Sequence, residues 1–230
     1  MWNAPDALML FAAGFGTRMG ALTRNCPKPM VEVAGKKLID HAISLADGVD
    51  LRKVVANVHY LPEQVCAHIL PQGVEISDES ERILETGGGL RKAQTLLGEG
   101  PVFTLNTDAV WTGRAVFSKL RAAWDPIKMD ALLMLVPTDR AIGYHGEGDF
   151  ALASDGRISR GKGYVYTGLQ ILNPLGIDEI EEEVFSLNLL WDQMLAAGRA
   201  FGVIHQGAWC DVGRPESIAL AEKMLEENDV

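Results

Sequence analysis

The sequence has little with which to cross-link itself. Its three cysteines, Cys26, Cys66 and Cys210, are widely spaced and odd in number. They offer neither a disulfide framework nor a C-x-x-C metal pairing. A reducing cytosol is the expected compartment, with Cys66, in a helical pattern, read as a core residue. The five histidines are scattered, and none stands four residues from another. Long hydrophobic runs are missing too, so no stretch is expected to span a bilayer. Residues 1–6 (Met-Trp-Asn-Ala-Pro-Asp) lack the basic flank of an export signal. Positive charge is scarce overall: 21 Lys and Arg against 31 Asp and Glu give a net charge of −10. That balance excludes general nucleic-acid binding, which needs a basic face.

The scarce cations are nevertheless concentrated. Arg18, Arg24, Lys28, Lys36 and Lys37 fall within one short stretch whose only acid is Glu32. The acid excess lies elsewhere, notably in residues 178–183 (Asp-Glu-Ile-Glu-Glu-Glu). A ligand responds to the local field rather than to net charge, so this stretch suits an anion.

Its pattern says which anion. Residues 8–13, Leu-Met-Leu-Phe-Ala-Ala, form an apolar run suited to a buried strand, followed by Gly14, Gly16, Thr17 and Arg18. Glycines there let the main chain approach a ligand and turn its N–H groups inward as an anion nest. A short helix after Arg18 is expected to add its N-terminal partial charge. Arg18 and Lys28 supply full charges, and the planar fork of arginine suits phosphate oxygens. The dinucleotide pattern G-x-G-x-x-G fails at Met19, and no Gly-Lys-Ser/Thr of a P-loop follows. Polyphosphate binding is the chemistry left.

Strand-like and helix-like segments alternate beyond it. Strands are expected at 53–58, 74–77, 102–106, 131–136, 164–172 and 200–204, and a hairpin at 150–159 around Asp155-Gly156. Helices are expected at 37–46, 62–69, 88–97 and 187–197, with a last one from Pro215. With 47% hydrophobic residues and no repeat or linker in 230 residues, one domain is expected. It is an α/β fold, a Rossmann-like, mostly parallel central sheet with helices on both faces. Ligands in such sheets sit beyond the strands' C-terminal ends, where both the glycine loop and Asp108 fall. Trp111, Trp191 and Trp209 read as packing residues.

The run Phe11-Ala12-Ala13-Gly14-x-Gly16-Thr17-Arg18-Met19, with Pro27-Lys28-Pro29 and Val33-Ala34-Gly35, resembles the entry motif of sugar-1-phosphate nucleotidyltransferases. The resemblance continues through Leu84-Glu85-Thr86-Gly87-Gly88-Gly89, Leu105-Asn106-Thr107-Asp108, Gly148-Asp149-Phe150 and Asp211-Val212-Gly213-Arg214-Pro215-Glu216. It implies the nucleotide-diphospho-sugar transferase fold, with about 1–125 of the 230 residues binding nucleotide and about 126–230 binding sugar phosphate. It implies transfer of a nucleotidyl group from a nucleoside triphosphate to a sugar 1-phosphate, with release of pyrophosphate. Ala13, Gly14, Gly16, Thr17 and Arg18 then hold the nucleotide's phosphates. Lys28 neutralises the α-phosphate, and Gly87 and Gly88 lie against the base. Asp108 and Asp211 hold Mg²⁺, a hard cation suited to carboxylates and phosphates. Asn106, Gly148, Thr167 and Gly168 face the sugar, whereas Arg160 and Lys162 read as solvated. The implied pair is UTP with N-acetylmuramate 1-phosphate, in the cytoplasm. A mannose-1-phosphate guanylyltransferase and a catalytically silent nucleotide-sugar sensor are the alternatives. Two positions depart from the family pattern: Ala21 replaces a usual proline, and Thr107 a usual glycine that keeps the sugar site open.

Overall fold

The computed structural model describes residues 4–228. Met1–Asn3, part of the segment read above for export, lie outside the described residues, as do positions 229 and 230.

The first half runs β1 (Ala7–Phe11), the short hairpin β2 (Glu32–Val33) and β3 (Lys36–Lys37), then α1 (Leu38–Ser44) and β4 (Lys53–Val58). It continues through α2 (Pro62–Ile69), β5 (Glu75–Asp78), α3 (Glu85–Leu97), β6 (Val102–Asn106), β7 (Ala109–Trp111) and α4 (Val116–Ala123). The second half begins with β8 (Ala131–Pro137), β9 (Ala141–Ile142), β10 (Phe150–Leu152), β11 (Ile158–Arg160) and β12 (Tyr164–Leu172). It ends with α5 (Asn188–Ala196), β13 (Ala200–Ile204), β14 (Trp209–Asp211) and α6 (Glu216–Asn228).

Strand β1 is apolar throughout because both its faces are covered. Successive side chains of a strand point to opposite faces. Leu8 and Leu10 accordingly enter one core with Ile39 of α1, Val65 of α2 and Phe117 of α4. Ala7 and Met9 enter the other with Leu90 and Ala93 of α3 and Leu190 of α5. The sheet is mixed. Strands β4, β1, β6 and β5 pair in parallel, while β12 joins antiparallel to both β6 and β8. The β6–β12 pairing carries the main sheet from the first half of the chain into the second.

A second, small sheet sets the site. Strand β14 pairs antiparallel with β7 and parallel with β9. It packs, with α6, around Met19, Val33, Cys210 and Val212. The short helix expected after Arg18 is not a regular α-helix. Thr17–Thr23 is a 3₁₀ stretch broken at Gly20 (φ 60°, ψ −122°), so it cannot align peptide dipoles as a regular helix does.

Candidate active site

The glycine loop leaves β1 at Ala12, whose N–H is held by Asn57 Oδ1 at 2.8 Å. Gly16 adopts φ 64°, and a Cβ there would meet Lys28 Cβ at 2.8 Å. Glycine is thus what lets the Lys28 stem rest against the loop. Pro27 and Pro29 frame Lys28, which is 8% exposed. Its Nζ donates to Asp108 Oδ2 at 2.7 Å. Asp108 follows β6, where the Thr107 hydroxyl donates to the Phe11 carbonyl at 2.8 Å. Thr107 borders the hollow beside the glycine loop rather than the second hollow described below.

The small sheet brings up the second aspartate. Asp211 lies opposite Ala109 in the β7–β14 ladder, and Val212 N–H donates to the Asp108 carbonyl at 2.9 Å. Burial, and then the charge of Asp108, raise the Asp211 carboxyl above its ordinary pKa, while Lys28, Arg18 and Arg214 pull it down. The ladder thus sets Asp211 beside Asp108 at a hollow that Arg18 and Arg214 also border. Among the described residues no third histidine, cysteine or carboxylate completes a metal cluster. That donor set fits Mg²⁺, which takes one or two carboxylates and completes its shell with water and substrate phosphate. Neighbouring Cys210 is buried, which pushes its thiol up to about 12.

Two hollows meet here. The first is bordered by Ala12, Ala13, Gly14, Lys28, Glu79 and Thr86. The second is bordered by Arg18, Tyr144, Asp149, Gly168, Asp211 and Arg214. Asn106 and Asp108 border both. Gly168, at φ 91° in the irregular middle of β12, lets Asn106 in, for a Cβ there would meet Asn106 Cβ at 2.8 Å. Thr167 borders the second hollow, but its hydroxyl donates away from it, to the Met134 carbonyl at 2.7 Å.

Several expected contacts lie elsewhere. Gly87 and Gly88 sit in the first turn of α3, not in a loop, and border neither hollow. A Cβ at Gly87 would overlap the Phe185 ring, and one at Gly88 would meet the Glu183 carbonyl at 2.5 Å. Close packing by itself excludes side chains there. Gly16 and Thr17 border neither hollow, and Thr17 faces a surface dip with Phe15 and Tyr60. Gly148 (φ 111°) backs onto Gly163 N, where a Cβ would stand at 2.6 Å. It delivers Asp149, whose Oδ2 accepts from Tyr166 N–H at 2.8 Å. Arg160 and Lys162 are paired with Asp192 and Glu147. Trp191 and Trp209 donate to Gln170 and the Thr167 carbonyl, as packing residues do, although Trp209 also edges the second hollow.

Sequence reasoning did not single out Asn57, Glu79, Glu85 and Asp149, which border the hollows. Asp149 had a signal, since it follows a glycine in the motif. Asn57 had another, as a polar residue within an apolar strand.

The profile of the MobA-like NTP transferase domain matches residues 8–159. The N-acetylmuramate alpha-1-phosphate uridylyltransferase of Caulobacter vibrioides is 42% identical over 99% of this chain and 100% of its own length. The protein of that name from Neisseria meningitidis is 32% identical, over 89% of this chain and 92% of its own. In fold, the crystal structure of HddC from Yersinia pseudotuberculosis matches with a TM-score of 0.75 at 19% identity, covering 94% of this chain and 98% of that one. The chain thus belongs to the MobA-like NTP transferase family, and it is a nucleotidyltransferase of the sugar-1-phosphate group.

Proposed function

We propose that the chain converts UTP and N-acetylmuramate 1-phosphate into the UDP-sugar and pyrophosphate, with Mg²⁺ held by Asp108 and Asp211. The observation that carries this reading is the sharing of Asn106 and Asp108 by two hollows, so that ligands in both can meet at one atom. The choice of substrates rests on the whole-length similarity to uridylyltransferases.

The nucleotide occupies the first hollow. Its α-phosphate lies beside Lys28 and Asp108, because Asp108 also borders the second hollow. The sugar phosphate enters the second hollow beside Arg214. One of its oxygens, already ionised at neutral pH, attacks the α-phosphorus. The new P–O bond forms as the bond to the pyrophosphate oxygen breaks, so no general base is needed. The protein's part is to align the partners and offset their negative charge. Lys28 neutralises the α-phosphate and Arg18 the departing pyrophosphate. Asp149 and Asn106 orient the sugar. Bound Mg²⁺ supplies further charge neutralisation at the phosphates. Residues 1–125 and 126–230 act as the nucleotide-binding and sugar-phosphate-binding parts of one catalytic domain. The reducing cytoplasm suits its unpaired cysteines.

Pyrophosphate release measured across four triphosphates and a panel of sugar phosphates tests the proposal. Turnover is expected with UTP and N-acetylmuramate 1-phosphate, lost with EDTA and in Asp108→Ala. Exclusive use of GTP removes the uridylyl reading. Binding without pyrophosphate release replaces the enzyme with a sensor.

A further inference from the structure

The wall of the first hollow is tied together by one buried acid. Glu79 is 1% exposed and Asn57 3%. Glu79 Oε1 accepts from Asn57 Nδ2 at 2.8 Å, and Glu79 Oε2 from Leu84 N–H at 2.9 Å. Asn57 in turn accepts the Ala12 N–H at 2.8 Å. Three segments meet through this pair: the start of the glycine loop, the end of β4 and the turn into α3. There is no room to relax, for a Cβ on Gly89 would meet Glu79 Oε1 at 2.7 Å and Asn57 Nδ2 at 2.9 Å. The carboxylate faces the first turn of α3, a 13-residue helix, whose dipole favours negative charge there.

The tie ends on a strained residue. Glu85, directly after Leu84, has φ 62°, a conformation that side chains other than glycine adopt at a cost. Glu85 and Thr86 both border the first hollow, as do Ala12 and Gly14. Such strain persists only where the surroundings enforce it, and the Glu79–Leu84 bond is the neighbouring constraint.

We propose that Asn57 and Glu79 act as one positioning pair that fixes the nucleotide wall and so sets how tightly the triphosphate binds. The proposal rests on reading the first hollow as the nucleotide's place. Neither residue acts on the reacting phosphorus. The pair needs one amide and one carboxylate, in either order, because Ala12 and Leu84 each present an N–H and every facing atom must be its complement. Glu79→Gln leaves two donors opposed, whichever way either amide turns. Asn57→Asp leaves two carboxylates opposed. Asn57→Asp with Glu79→Gln restores every bond with the charge moved from one residue to the other. The carboxylate then at position 57 would accept from Ala12 and from the amide at position 79, whose oxygen accepts from Leu84.

The test compares the unaltered chain, both single variants and the exchange double variant, using whichever of the four triphosphates the unaltered chain consumes. Each single variant is expected to raise KM for that triphosphate about tenfold or more, the scale of one lost charged hydrogen bond. The same variants should change kcat and the sugar-phosphate KM by less than about threefold, and the double variant should return the triphosphate KM to within about threefold of the original. If the single variants do not fold, a folded double variant with that KM supports the pair equally. An unchanged KM in the single variants, an equal fall in kcat, or no rescue in the double variant overturns it. Failure of the unaltered chain to use any triphosphate overturns instead the nucleotidyl-transfer reading beneath it.

Discussion

Lys28→Met keeps the apolar stem that lies against Gly16 and removes only the charge. The Lys28–Asp108 contact of 2.7 Å is the one strong ion pair at the meeting of the two hollows. Two unit charges about 4 Å apart attract by about 4 kcal/mol at the effective dielectric of a protein surface. Asp108 is 33% exposed, and solvent screening cuts the net worth of such a pair to about 1 kcal/mol. The fold should therefore lose little stability. Turnover should suffer far more, because the cation faces charge that shifts during the reaction inside a site that is partly closed to water. Removing one preorganised group of that kind costs about 2.7–4 kcal/mol, or about 10²–10³ in kcat. The assay is pyrophosphate release at saturating concentrations of both substrates, with a thermal melt to confirm the fold. Lys28→Arg is expected to rescue poorly, since the 8% exposed stem leaves no space for the wider fork. A kcat within about threefold of the original in Lys28→Met would refute the role given to this lysine.

Gly16→Ala combines a φ of 64° with a Cβ 2.8 Å from Lys28 Cβ; a loss of about 1–2 kcal/mol in urea unfolding is expected from the backbone alone, with lowered kcat as Lys28 is displaced. Gly87→Ala drives a methyl into the Phe185 ring and should cost about 1–3 kcal/mol by the same measurement, while the preference among the four triphosphates stays unchanged. His205 gives a pH dependence. Burial holds its pKa below the ordinary 6.5, with Lys119 and Arg140 adding to the effect and the main chain of Ala208 and Thr112 opposing it. The unfolded chain then takes up a proton before the folded one does, so this contribution is complete above pH 6.5 and is lost as pH falls below it. Melting temperature between about pH 7.5 and 5.5 should fall less steeply in His205→Gln than in the unaltered chain; equal slopes would remove His205 from the account.

Beyond the α/β class, which the alternation of strands and helices carried, what the sequence made legible was local. Pro62 opens α2 where a first-turn proline belongs, and Asn173-Pro174 stops β12 at Leu172. The 150–160 hairpin turns at Asp155-Gly156, where Gly156 has φ 87°. Helix α3 begins three residues before the expected Gly88, because weak helix propensity was overruled by packing against Phe185. Helix α4 was missed, since Ala115 precedes it at φ 58° with no capping side chain. The small sheet was missed as well, because strands of two or three residues carry no periodicity to read. Yet that sheet, through β7 and β14, is what brings Asp211 to Asp108. Their meeting followed only from family resemblance.

The Asn57–Glu79 pair was illegible for a related reason. Each residue on its own is a polar group at a strand end, which usually means solvent or a turn. Only when β4, the glycine loop and α3 converge does the carboxylate lose water and need its two donors. The other side of the cleft is built on the opposite principle. There Asp211 is pressed against Asp108, and the fold offsets the repulsion with Lys28, Arg18 and Arg214 instead of satisfying the carboxylates with neutral donors. A satisfied network makes a rigid wall, whereas charges balanced only by other charges remain available to a ligand that brings charge of its own. On the proposed function, the wall of the first hollow and the edge it shares with the second divide the work between them, one fixing position and the other presenting the charges that phosphate and cation would balance.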